Sequence, residues 1–99
     1  MRKAFSDDLY LEMSKDKKIY FILGDVGFGF FDKLKKDFPD RVINPGASEQ
    51  LMMGMASGMA MDGFKPIVYS ITPFILFRPF EFIRNFLNDD KLSVKIVGV

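Results

Sequence analysis

Ile19-Tyr20-Phe21-Ile22-Leu23-Gly24-Asp25 is an apolar run of strand length that stops on a glycine and an acid. That is the pattern of a strand buried on both faces and feeding a loop. Upstream, Phe5, Leu9 and Met13 recur every four residues between Lys3 and Asp16, so they share one face of a helix, with Asp7, Asp8 and Glu12 elsewhere on it. Downstream, the sequence predicts a short helix over 32–38 ending before Pro39, and a short strand over 41–44 closed by Pro45 and Gly46. A long helix over 48–62 ends at Gly63, and a strand begins at Pro66 and runs to Tyr69. Residues 70–77 read as a loop or broken turn. Pro79 then opens a helix with Phe80, Ile83, Phe86 and Leu87 as its buried stripe and Glu81, Arg84, Asn85 and Asn88 outside, and Val94 to Val99 form the last strand.

This alternation predicts an α/β fold, a mostly parallel sheet with helices on both faces, in one domain over residues 1–99. In such sheets ligands sit at the carboxyl ends of the strands. Here those ends are residues 24–31, 44–49 and 70–77.

Composition narrows the chemistry. Fourteen Lys and Arg against 13 Asp and Glu leave a net charge of +1, so no polyelectrolyte partner is demanded. With 48% hydrophobic residues the chain is too apolar for disorder, yet no run approaches the ~20 apolar residues of a bilayer span. Asp7 and Asp8 stand where a signal peptide would carry its apolar core, which points to the cytoplasm. Without Cys or His there is no disulfide, thiol nucleophile, Ser-His-Asp triad or ordinary zinc site. Chemistry must come from carboxylates, amides, Arg, Lys or a borrowed cofactor. A chain this short buries only roughly 60 to 65% of its surface, so 12 Phe and seven Met are a surplus that argues for a large partner surface. The strand at 92–99 (LSVKIVGV) has no closing helix after it, and the expectation is one layer of a longer chain or of a split enzyme.

Five of the seven Met fall between Met52 and Met61. They suit a soft surface for a partner or an adaptable buried helix. Gly54 and Gly58, four apart, let another helix approach closely, so the helix is expected between this sheet and a second subunit. Gly24, Gly27 and Gly29 do not have the G-x-G-x-x-G spacing of a dinucleotide site. Asp25 at a strand end is a place for a polar ligand contact, or simply a turn former. Glu49 opens the apolar helix. It is either a helix-dipole contact worth ~0.3 to 1 kcal/mol, or a carboxylate whose pKa desolvation raises, suited to donating or relaying a proton.

The run FPDRVINPGASEQLMMGMASGMAMDGFKPIVYSITPFILFRPFEFIRN, at 38–85, resembles the pyrimidine-binding domain of transketolase-like, thiamine-diphosphate-dependent enzymes. There, a segment ending in G-x-x-E-Q leads into a small-residue helix, then G-x-x-P-hydrophobic and an aromatic-rich loop. The resemblance extends over nearly the whole chain. It implies that Glu49 matches the glutamate that shares a proton with N1′ of the cofactor's aminopyrimidine and drives the imino tautomer that removes the thiazolium C2 proton. It also implies that Phe74, or alternatively Phe77, stacks on the pyrimidine, and that Asp25 and Val26 match an acidic-apolar pair close to the cofactor. The GFGF that follows departs from the common pattern.

The family's G-D-G motif, which holds the diphosphate and Mg²⁺ from another domain, does not occur in this sequence. The resemblance therefore implies half an active site, completed by a diphosphate-binding domain or subunit in a homo- or hetero-oligomer. Three functions follow: transfer of a two-carbon ketol unit between sugar-like substrates, a β-type subunit of a 2-oxo acid dehydrogenase or a decarboxylase, or a non-catalytic α/β binding module. Arg78-Pro79-Phe80-Glu81 leading into IRN leans to the first, and Glu49 speaks against the third.

Overall fold

The computed structural model describes residues 1–99. Helix α1 (Arg2–Lys15) leads into β1 (Ile19–Leu23), the short helix α2 (Asp32–Asp37) and β2 (Val42–Ile43). Helix α3 (Glu49–Met61), β3 (Lys65–Ser70), α4 (Thr72–Phe77), the single turn α5 (Phe80–Phe82), a π-helical stretch Ile83–Asp89 and β4 (Lys95–Gly98) complete the chain. The strands form one sheet in the order β2-β1-β3-β4, and every pairing is parallel. Parallel neighbours need crossover connections, and the helices supply them on both faces of the sheet.

The two-residue alternation of the strands sorts the core into two clusters. On one face Ile19, Phe21, Leu23 and Tyr69 meet Leu9 and Met13 of α1 and Leu34 of α2, with Phe31 beside them. Phe21, Phe31 and Tyr69 pack edge to face with ring centroids 4.9–5.9 Å apart, a preferred aromatic geometry. On the opposite face Ile22 and Val68 meet Met52, Met53 and Ala56 of α3 and Ile75 of α4. The periodicity of Phe5, Leu9 and Met13 thus faces the core as expected, with Leu9 and Met13 buried and Phe5 packed against the cluster.

Arg41 ties this layer together. Its guanidinium donates to the carbonyls of Met13 and Asp16 at 2.9 Å and of Ile19 at 3.3 Å. These carbonyls lie at the end of α1 and the start of β1, and a cation is favoured at a helix C-terminus.

Three expectations need correction. Residues 72–77 are helix α4 rather than a loop. Pro73 lies in its first turn, where the missing N–H costs nothing, and the β-branched and aromatic residues around it hid the helix. The stripe after Pro79 is Phe82, Ile83 and Leu87, while Phe80 and Phe86 are exposed. The i→i+5 winding brings a face round about every four to five residues rather than 3.6, which aligns Phe82 with Leu87. Gly54 is met by this chain's own Phe82, whose ring would lie 3.4 Å from a Cβ placed there, whereas nothing lies within 4 Å of such an atom at Gly58. The outer face of α3 is therefore half closed from within, and Leu51 and Met61 remain exposed. No helix is long and apolar enough to cross a membrane.

Candidate functional site around Glu49

The order β2-β1-β3-β4 makes the chain leave β1 toward β2 and return through α3 to the other side of β1. The gap beyond the ends of β1 and β3 is therefore the topological switch point, where a doubly wound sheet binds its ligands. Three pieces of sequence meet there. Gly24 follows β1, Ser70 ends β3, and Glu49 is the first residue of α3.

The Glu49 side chain is 2% exposed. Its Oε1 accepts from the Ser70 hydroxyl at 2.9 Å, and its Oε2 accepts from Arg78 Nη1 at 3.1 Å. Gly24 makes this possible. A Cβ there would lie 2.9 Å from Met52 Sδ, 3.2 Å from Ser70 Oγ and 3.5 Å from Glu49 Oε1. The glycine is the clearance that lets α3 start against the sheet.

Burial pushes the Glu49 carboxyl up, but the Ser70 hydroxyl, its own helix N-terminal amide and the Arg78 guanidinium together outweigh burial and hold it below the ordinary glutamate value. This overturns the expectation of a raised pKa: desolvation is present, and three donors stabilise the anion. A carboxyl depressed by folding stabilises the protein above its unfolded pKa, and that contribution is lost as pH falls through the folded value. Thermal melts from about pH 7 down to about pH 3 are therefore expected to show an acid loss of stability that Glu49→Gln makes shallower. An unchanged slope in the variant would show that the clamp contributes nothing.

Phe74 belongs to the same arrangement. It is half-buried on α4, and the Arg78 guanidinium carbon lies 3.6 Å from its ring centroid. Phe77, the alternative, is 75% exposed. Asp25 sits beyond Gly24 with φ +55° and accepts from Asn44 Nδ2 at 3.2 Å, which links the loops after β1 and β2. Val26 packs onto the opposite core, against the cluster of Phe21 and Tyr69. So the structure brings together Glu49, Phe74, Ser70 and Arg78, and gives Asp25 and Val26 other partners.

The sequence did not single out Ser70, and it offered Gly24 only as one glycine of a loop. Ser70 is legible only as the polar residue that ends the apolar run Pro66-Ile67-Val68-Tyr69. A surface depression of about 450 Å³, lined by Ala47, Ser48, Glu49, Gln50 and Arg78, opens at this point.

A doubly wound parallel sheet with a buried carboxylate, bonded to Ser70 and Arg78, at its switch point defines the class: an α/β domain of the kind that binds ligands at that point. The profile described as "Transketolase, pyrimidine binding domain" matches residues 1–99. The chain belongs to that family. It is 38% identical over 97 residues to an uncharacterized 33.6 kDa protein in the fasciation locus of Rhodococcoides fascians, covering 97% of this chain and 31% of that protein. It is 36% identical over 103 aligned positions to a protein of Methanocaldococcus jannaschii described as a transketolase C-terminal section, covering 99% of this chain and 31% of the relative. Among solved structures it superposes with a TM-score of 0.87 and 33% identity on "Split gene transketolase, inactive beta4 tetramer", over 98% of this chain and 32% of that one. The chain thus spans about a third of the length of these relatives.

Proposed function

We propose that this chain is the pyrimidine-binding half of a thiamine-diphosphate-dependent, transketolase-like transferase that moves a two-carbon ketol unit between sugar-like substrates. The observation that carries the reading is the Glu49 carboxylate, buried at the switch point with Oε2 turned toward the side where Phe74 lies. The residues fit an aminopyrimidine, because a flat N–H donor already stacks on Phe74 and bonds to Oε2 in the form of the Arg78 guanidinium.

Bound thiamine diphosphate supplies an electron sink for breaking and forming the carbon–carbon bond. Glu49 Oε2 would accept from the protonated ring nitrogen and hold that proton in a charge-assisted bond that low surrounding polarity strengthens. Ser70 fixes Oε1, so the carboxylate cannot rotate away. Phe74 would cover one ring face, and the fully buried Met52 lies beside the carboxylate where both approach Gly24. The diphosphate and its Mg²⁺ are assigned to a partner domain, since the family's G-D-G motif does not occur in this sequence. The partner's seat is supported by the exposed Leu51, Leu76, Phe77 and Phe80 along α3, α4 and α5. The words "C-terminal section" and "split gene" in the names of two relatives support an assembly of separate chains.

The test is reconstitution. The purified chain alone is expected to give no ketol transfer, and addition of a diphosphate-binding domain or subunit is expected to restore it in the presence of thiamine diphosphate and Mg²⁺. Turnover by the chain alone, or none with any such partner, overturns the reading.

A further inference from the structure

Arg78 stands where the proposed pyrimidine would stand. One guanidinium both donates to Glu49 Oε2 at 3.1 Å and stacks 3.6 Å from the Phe74 centroid. Its main chain is held separately, by Gln50 Nε2 donating to the Arg78 carbonyl at 3.3 Å. The side chain is 48% exposed while Glu49 is 2% exposed, so the guanidinium caps a carboxylate that is otherwise enclosed. The hydrogen bond that holds its main chain is thus independent of the contacts of its guanidinium.

Building on the reading of Glu49 and Phe74 as the pyrimidine seat, we propose that Arg78 is an affinity- and specificity-determining residue whose guanidinium fills that seat from within and must leave before a ligand enters. Two consequences follow from the chemistry of exchange. A ligand's apparent dissociation constant is its intrinsic value divided by the fraction of chains with the seat open. A ligand lacking an N–H donor leaves the buried Oε2 with one partner fewer than Arg78 gave it, and is rejected on that account. The class selected is a flat ring or amidinium that stacks and donates.

The experiment titrates the 99-residue chain with 4-amino-2-methylpyrimidine, followed by NMR shifts of the Phe74 ring and the Ser70 amide. Arg78→Ala is expected to tighten binding by about tenfold, the combined grip of a half-exposed ion pair and a cation–π contact. Arg78→Lys keeps the charge but not the planar fork, and is expected to fall between the two. Glu49→Gln is expected to abolish binding in both the parent and the Arg78→Ala background.

If binding depends on Glu49 but Arg78→Ala leaves it unchanged or weakens it, Arg78 does not compete for the seat and the inference is overturned, with the proposed function intact. Binding indifferent to Glu49→Gln, or none by any variant, overturns the seat itself and with it both readings. Should Arg78→Ala not fold, the Arg78→Lys comparison decides: tightening supports competition, and no change overturns it.

Discussion

In the protein assembled with its diphosphate-binding partner, Glu49→Gln is expected to slow exchange of the bound cofactor's C2 proton into deuterated water by roughly 10² to 10⁴, the usual loss for a proton-transferring group. The substitution preserves size and most of the local bonding. Before the cofactor enters, Gln offers one carbonyl oxygen, which Arg78 Nη1 can still reach, and an NH₂ that the Ser70 hydroxyl, turned round, can accept. What it removes is the negative charge that holds a proton on a weakly basic ring nitrogen. If Glu49 served only as a helix N-terminal contact, the change would cost ~0.3 to 1 kcal/mol of stability and leave exchange untouched. Exchange as fast in the variant as in the parent would therefore remove Glu49 from the mechanism. Unfolding curves of the same preparation separate the two effects, since the fold is expected to survive.

The second large effect concerns stability. Phe21→Ala is expected to destabilise the chain by about 3 to 5 kcal/mol, because the ring is fully buried and the cavity it leaves is lined by rigid neighbours. Phe5, Phe31 and Tyr69 all contact it, with centroids 6.2, 5.0 and 5.9 Å away, and none can collapse into the space without losing its own packing. Small domains hold only ~5 to 15 kcal/mol in total, so the loss takes a large share of what keeps the sheet and α1 together. Urea unfolding followed by circular dichroism reads the change directly. A loss below about 1 kcal/mol would mean that this cluster is not the core of the fold.

How much was legible in the chain itself differs from element to element. The run Ile19–Leu23, the spacing of Phe5, Leu9 and Met13, and Gly63 after the Met-rich helix each carry their own physical signal, and the structure puts β1, α1 and α3 where those signals point. Local periodicity suffices there because burial on one face or two imposes it directly. The stretch 70–90 was harder. Pro73, β-branched residues and aromatics obscure α4, and the π-helical winding that selects Phe82 over Phe80 depends on what α3 presents to it.

Glu49 shows the same division within one residue. Its place at the head of an apolar helix, beside a strand end, is readable from Ser48-Glu49-Gln50 and the turn before it. The direction of its pKa is not, because Ser70 lies 21 residues away and Arg78 29 residues away, and both reach it only when β3 and α4 are in place. By itself, then, the sequence determined the alternation of elements, the parallel sheet and which carboxylate opens α3, all of which follow from local pattern and connection length. Only the tertiary structure decided that Gly24 leaves room for the Glu49–Ser70 pair, that Phe74 rather than Phe77 stands beside Arg78, and that the carboxyl is held as an anion. Those facts rest on contacts between distant segments, and no local periodicity encodes them.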